Sequence, residues 1–161
     1  MPNETIDILI NNAAIIGQPR EGQMATAIDF ALWAEILNVN TMGPVRVMQA
    51  LLPNLKRSKQ PIAMNITSDL GALSHDDPIY YGYSASKAAL NKFMRLAALK
   101  LKHEGIAIGL IHPGWVQTDM GGSNAPIPVV ESATGIADVT DQLCLNNAGS
   151  FWQWDGKLHE W

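Results

Sequence analysis

Tyr83-Ser84-Ala85-Ser86-Lys87 opens the longest helical pattern in the chain. Apolar positions at Leu90, Phe93, Ala97 and Leu101 recur at the spacing of one helix face. Lys100, Lys102 and His103 then load the last turn with positive charge, and Gly105 supplies the stop. Residues four apart lie one above the other on a helix, so Tyr83 and Lys87 share a face. A neighbouring ammonium favours the phenolate, and the pair therefore predicts a Tyr83 pKa below the usual ~10. A phenol tuned toward neutrality is a usable general acid or base. An ordinary surface Tyr/Lys pair gives the same five residues, so the motif needs company.

Company is present on both sides. Ser68 lies fifteen residues before Tyr83, at the end of Pro61-Ile-Ala-Met-Asn-Ile-Thr-Ser68. Ile62–Thr67 reads as a short buried strand, which puts Ser68 at a strand's C-terminal end, where ligands bind in open α/β sheets. Thr67 is the fallback hydroxyl. After the helix, Gly105–Ile111 reads as the next strand, followed by His112-Pro-Gly-Trp-Val-Gln-Thr118. Upstream stand Asp7-Ile-Leu-Ile-Asn-Asn-Ala-Ala14 and Leu37-Asn-Val-Asn40.

In this order, these pieces resemble the short-chain dehydrogenase/reductase family. Asn11-Asn12-Ala13-Ala14 stands for its Asn-Asn-Ala-Gly, Asn40 for its helix asparagine, and Ser68, Tyr83 and Lys87 for its catalytic set. Pro113-Gly114-Trp-Val-Gln-Thr-Asp-Met-Gly-Gly122, with an ending through Asp155-Gly156 to Trp161, is similar to the carbonyl-reductase-like branch. The resemblance implies an α/β fold: the C-terminal part of a Rossmann-like, doubly wound parallel sheet of about four strands with flanking helices. It also implies roles. Tyr83 protonates the developing alkoxide, Ser68 holds the substrate oxygen, Lys87 lowers the Tyr83 pKa and holds the nicotinamide ribose, and Asn40 keeps a water in the proton relay. Asn12 and Ala13 border the cofactor, NAD or NADP. The backbone at Pro113, Gly114 and Val116 and the Thr118 hydroxyl hold the carboxamide. Ile15, Ile16, Trp115 and Met120 line an apolar substrate pocket by position.

The bulk properties fit one domain. The 161 residues are 47% hydrophobic and 16% charged, with a formal charge of −4, which gives no basic footprint for nucleic acid or an anionic membrane. Cys144 is the single cysteine, which suits a reducing compartment. No basic-then-apolar leader is visible and no uncharged apolar run reaches the ~20 residues of a membrane helix. A cytoplasmic domain is the expectation. His75, His103, His112 and His159 are scattered without zinc-like spacing, so no metal is expected.

In chain order, Ile6–Ile10 is apolar at nearly every position and reads as a strand buried on both faces. Ala25–Leu37 reads as a short helix and Thr41–Lys59 as a second, kinked or shortened at Pro53. Asp119–Pro128 is rich in glycine and proline and is expected to be a mobile loop over the site. Val129–Leu145 reads as a helix and Phe151–Trp154 as the last strand.

The family's first turn carries a glycine-rich phosphate loop that cradles the pyrophosphate at a helix N-terminus. No Gly-x-x-x-Gly-x-Gly occurs in these 161 residues, which start where the family's fourth strand starts. The expectation is a single shortened domain, 1–161, that keeps the catalytic and nicotinamide-side half, with cofactor weakly bound or absent. Two functions follow: a reductase acting on a small-molecule carbonyl or alcohol, or a cofactor-independent non-redox enzyme or binding or assembly module derived from one. A bare edge at Ile6–Ile10 further predicts a homodimer or higher homo-oligomer.

Overall fold

The computed structural model describes residues 4–161. Four parallel strands form one sheet: β1 (Ile8–Asn11), β4 (Ile62–Ile66), β5 (Ala107–His112) and β6 (Phe151–Gln153), hydrogen-bonded in the order β1-β4-β5-β6. Parallel neighbours need crossovers, and helices supply them. The chain leaves β1 through a small antiparallel hairpin, β2 (Gln23–Met24) and β3 (Ala27–Ile28). Helices α1 (Phe30–Leu37) and α2 (Gly43–Leu55) then lead to β4. The long α3 (Tyr81–Leu101) joins β4 to β5, and α4 (Val129–Gln142) precedes β6.

Side chains alternate across the sheet, as a period of two requires. Ala63, Ile108, Leu110 and Phe151 pack with Met48 and Leu55 of α2 and with Leu90, Met94 and Ala98 of α3. Met64, Ile66, Ala107 and Ile111 face the other way, onto Val139 of α4 and Leu143. The expected layered α/β architecture is therefore the one found. The α3 stop also falls as read: a short turn over Lys102–Glu104 ends at Gly105 in the left-handed region, φ +83°.

Four segments differ from the sequence reading. The first strand is Ile8–Asn11, and Ile8 and Ile10 are each 48% exposed, because β1 is the edge strand and no helix covers that part of its α4-side face. Only Leu9 packs toward the core with α2. The segment expected as a helix from Ala25 is the β2–β3 hairpin, and α1 begins at Phe30, where the Asp29 carboxylate accepts from the Ala31 and Leu32 amides at 2.9 and 3.1 Å. Between α1 and α2 there is no break but a π-turn, Asn38–Met42, closed by the Gly43 amide on the Asn38 carbonyl. Helix α2 ends at Leu55, two residues after Pro53, short of the expected Lys59. Among the described residues no helix is long and apolar enough to cross a membrane.

Candidate active site

A cleft of about 960 Å3 opens at the C-terminal ends of β1, β4 and β5. It is the place where an open parallel sheet offers backbone and loop groups to a ligand. Tyr83, Lys87 and Ser68 lie together in its wall.

Tyr83 sits on the first turn of α3, whose N-terminal amides have no partner within the helix. One of them, the Tyr83 amide, donates to Gln23 Oε1 at 2.9 Å. Gln23 is fully buried, and its Nε2 donates to the carbonyls of Ile16 and Gly17 at 2.8 and 2.7 Å. One glutamine thus ties α3 to the loop after β1. Sequence reasoning passed over it because a lone glutamine in a loop-like stretch carries no periodic signal. The helix starts abruptly after Tyr80, which holds φ 48°, a left-handed conformation rare for a bulky residue.

Lys87 follows one turn later on the same face and is buried to 2% exposure. Its Nζ donates to the Ile66 carbonyl at the end of β4, 3.0 Å away, and lies 5.7 Å from the centre of the Tyr83 ring. Gly71 makes this approach possible: a Cβ there would meet Lys87 backbone and Cβ at 2.8 Å. Burial pulls the Lys87 ammonium down from 10.5 to about 8. Burial likewise pushes the Tyr83 phenol up from 10.0 to about 12; a hydrogen bond with the Ser68 side chain opposes this and the Asp69 carboxylate adds to it. The expected lowering of the Tyr83 pKa is therefore overturned. The shared helix face is real, but desolvation outweighs an ammonium that points at a backbone carbonyl.

Ser68 is extended (φ −157°, ψ 152°) and caps the short turn Asp69–Gly71. Its Oγ donates to Asp69 Oδ1 at 2.9 Å and accepts from the Leu70 amide at 3.2 Å. Thr67 is not a substitute, since its hydroxyl is committed to Asn91 Oδ1 at 2.6 Å. Asn40 is fully buried in the π-turn, and its amide is spent on structure: Oδ1 accepts from the Ile15 amide, and Nδ2 donates to the Ile15 carbonyl (both 2.8 Å) and to Ser86 Oγ (3.0 Å). Any relay role of Asn40 falls to its main chain.

Asn12, Ala13, Pro113, Gly114, Val116 and Thr118 all line the cleft, as do Ile16, Trp115 and Met120. Ile15 does not; its backbone instead holds Asn40. Gly114 is required at φ +82°, where a Cβ would also meet Trp154 at 2.9 Å and collide with Ile127. The loop expected to be mobile is tied down at several points. Trp115 Nε1 donates to the Gly121 carbonyl at 2.7 Å, Gln117 Nε2 donates to the Ala125 carbonyl at 2.9 Å, and Val116 bridges Ile127. A further feature unread in the sequence is a line of buried amides below the cleft. Asn11 Nδ2 donates to Asn65 Oδ1 at 2.9 Å and Asn65 Nδ2 to the Gly109 carbonyl at 3.1 Å, fastening β1, β4 and β5 side by side.

These residues fit the nicotinamide-ribose end of a dinucleotide. Lys87 has three N–H donors and spends one on Ile66, which leaves donors for ribose hydroxyls. The Pro113–Thr118 segment presents backbone and a hydroxyl to the same cleft.

Residues 3–126 match the family model described as short chain dehydrogenase, and the chain belongs to that family. Over 157 residues it is 38% identical to the C-signal of Myxococcus xanthus, covering 97% of this chain and 93% of that protein. It superposes on the carbonyl reductase Sniffer of D. melanogaster with a TM-score of 0.90 at 31% identity, covering 98% of this chain and 67% of that one. The NADPH-bound carbonyl reductase from chicken fatty liver gives a TM-score of 0.90 at 30% identity, with 99% and 67% covered. Other relatives are spanned for only 55% or 61% of their length.

Proposed function

We propose that this chain carries the catalytic and nicotinamide-side portion of a carbonyl reductase, which reduces a small-molecule aldehyde or ketone to the alcohol. The observation that carries the reading is the buried Tyr83 and Ser68 side chains lying together in the cleft wall, with Lys87 one turn behind Tyr83. A reduced nicotinamide, when bound, supplies the hydride. On substrate binding the Ser68 hydroxyl turns its single hydrogen from Asp69 Oδ1 to the substrate oxygen, and Tyr83 donates a second hydrogen bond to it, polarising the carbonyl. As negative charge grows on that oxygen, the Tyr83 proton passes to it, completing the hydroxyl. The Tyr83 phenol is protonated at neutral pH and can donate its proton to the substrate oxygen. Lys87, whose Nζ lies 5.7 Å from the Tyr83 ring centre, would set its charge beside the phenolate left behind and would hold the ribose hydroxyls, and Asn40 supports the helix turn behind it through Ile15 and Ser86. The apolar side chains Ile16, Trp115 and Met120 suit a hydrophobic carbonyl compound. NAD and NADP both fit the nicotinamide side, and NADPH is bound by the chicken carbonyl reductase.

Because the 161 residues contain no glycine-rich pyrophosphate loop, their own affinity for dinucleotide is weak. Titration followed by nicotinamide fluorescence is expected to show no saturation at low micromolar NADPH. Reduction of an aromatic aldehyde at high NADPH is expected to be measurable and to vanish in Tyr83→Phe with the fold intact. Equal turnover in Tyr83→Phe overturns the reading. A second reading is a binding or assembly module without redox turnover. A folded chain without turnover at any cofactor concentration favours it. For either reading we propose a homodimer or higher homo-oligomer.

A further inference from the structure

On the substrate side of Ser68 the structure places a residue that neither the motif nor the proton-donating set includes. His112 is the last residue of β5 and lines the cleft. Its Nδ1 accepts a hydrogen bond from the Asp69 amide at 3.1 Å. Asp69 immediately follows Ser68, and its carboxylate accepts hydrogen bonds from the Ser68 hydroxyl at 2.9 Å and the Leu70 amide at 2.8 Å. We propose that His112 is a positioning residue for Ser68: with Nδ1 unprotonated it pins the amide of the next residue and so holds the substrate-binding hydroxyl in place. The inference rests on the carbonyl-reductase reading for its functional meaning, though not for its geometry.

The chemistry of the ring makes the arrangement conditional on protonation. An amide N–H pointing at Nδ1 requires a lone pair there, hence the tautomer with hydrogen on Nε2. Protonation puts a hydrogen on Nδ1, and two donors then face each other. The imidazolium must turn toward Asp69 Oδ1, 3.6 Å away, an oxygen already engaged by the Ser68 hydroxyl and the Leu70 amide. Ser68 is thus disturbed twice, through the released Asp69 amide and through competition for its own acceptor. The groups facing His112 come from each neighbouring segment: Asp69 from the turn after β4, His75 from the loop that follows, and His159 from the segment after β6, whose ring meets His112 edge-on at 5.8 Å. Burial lowers the His112 pKa, Asp69 raises it, and charge on His159 or His75 lowers it; the balance lies below the ordinary 6.5. The pin is therefore intact at neutral pH and lost on acidification.

The test follows amide hydrogen exchange at Asp69 and the His112 ring signals by NMR across pH 4–8, alongside the pH profile of kcat/KM for carbonyl reduction. Asp69 protection is expected to disappear with the His112 titration, at a midpoint below 6.5, and turnover to share that acid limb. His112→Leu, which offers no acceptor, is expected to lower kcat tenfold or more at pH 7. His112→Asn, whose amide oxygen accepts an N–H without titrating in this range, is expected to recover most of that loss and to flatten the acid limb. Asp69 protection that ignores the His112 titration overturns the inference, as does an unchanged acid limb in His112→Asn. Absence of turnover strikes the reductase reading instead, and the exchange measurement still decides the role of His112.

Discussion

The Lys87 ammonium is one turn from Tyr83 and yet does not govern its acidity, and that separation has a measurable cost. Between its folded value of about 8 and its ordinary 10.5, the unfolded chain keeps a proton that the folded chain releases. Stability therefore rises with pH through that window. Tyr83 acts oppositely: between 10.0 and about 12 the unfolded chain releases a proton that the folded chain keeps, so stability falls as pH climbs. Lys87→Met removes the buried charge at nearly constant volume and is expected to stabilise the fold at pH 7 by on the order of 1–3 kcal/mol. Urea unfolding at pH 7 and pH 10 checks this: the gain should shrink at pH 10, and a variant no more stable than the wild type at pH 7 refutes it. The same variant should lose carbonyl reduction, and wild-type turnover should decline above about pH 8 as the ammonium discharges. Ser68, Tyr83 and Lys87 were legible because motif spacing fixes which residues meet. The sign of the Tyr83 shift was not, because spacing reveals a neighbouring charge but not the depth at which both groups are buried.

At the scale of elements, what could be read was what repeats. Strands β4 and β5 are largely apolar runs and α3 is long and apolar along one side, so their existence followed from pattern. The buried face of α3 nonetheless runs through Leu90, Met94 and Ala98, while Phe93 of the stripe as read is exposed. The two-residue strands of the β2–β3 hairpin have no period to detect, and the π-turn leaves α1 and α2 continuous where Asn38-Val39-Asn40 suggested a break. Those two unread elements are the ones that hold α3 in place. Gln23 of β2 accepts the Tyr83 amide, and Thr41 and Asn40 of the π-turn reach the Ser86 carbonyl and hydroxyl at 2.8 and 3.0 Å. Gln23→Ala leaves a buried helix-start amide and two carbonyls without partners, and is expected to cost roughly 2–4 kcal/mol. Thermal unfolding reads the loss. At a temperature where the variant is folded, kcat should fall more than KM rises, since the hydroxyl that moves belongs to the proton donor; an unchanged kcat shows that Gln23 serves stability alone.

At the scale of the molecule, two apolar surfaces among the described residues stand without cover. One is the β1 edge, with Ile8 and Ile10 half exposed on a strand whose outer side has no partner in the four-stranded sheet. The other is helical: Val47 of α2 and Phe93, Leu96 and Leu99 of α3 stand out from the fold, Leu96 at 53% exposure. The edge was anticipated from the resembled family's sheet order, whose flanking first strand is not among these 161 residues, while the two buried faces read from the apolar run failed because burial of a strand depends on what flanks it. At ~25 cal/mol per Å2 of apolar area, either surface rewards association with a second copy. An exposed strand edge adds unpaired backbone groups that a symmetry mate can satisfy. Sedimentation velocity at low micromolar concentration is expected to show a dimer or larger assembly. Leu96→Glu places a charge on the helical surface and should yield a monomer if α2 and α3 pack against their mates. Ile8→Lys should do so if two β1 edges pair antiparallel into one sheet. Each variant leaves the cleft residues untouched, so circular dichroism should be unchanged while the sedimentation coefficient falls. A wild-type chain that sediments as a well-folded monomer refutes both routes, because both surfaces would then be stable in water as they stand.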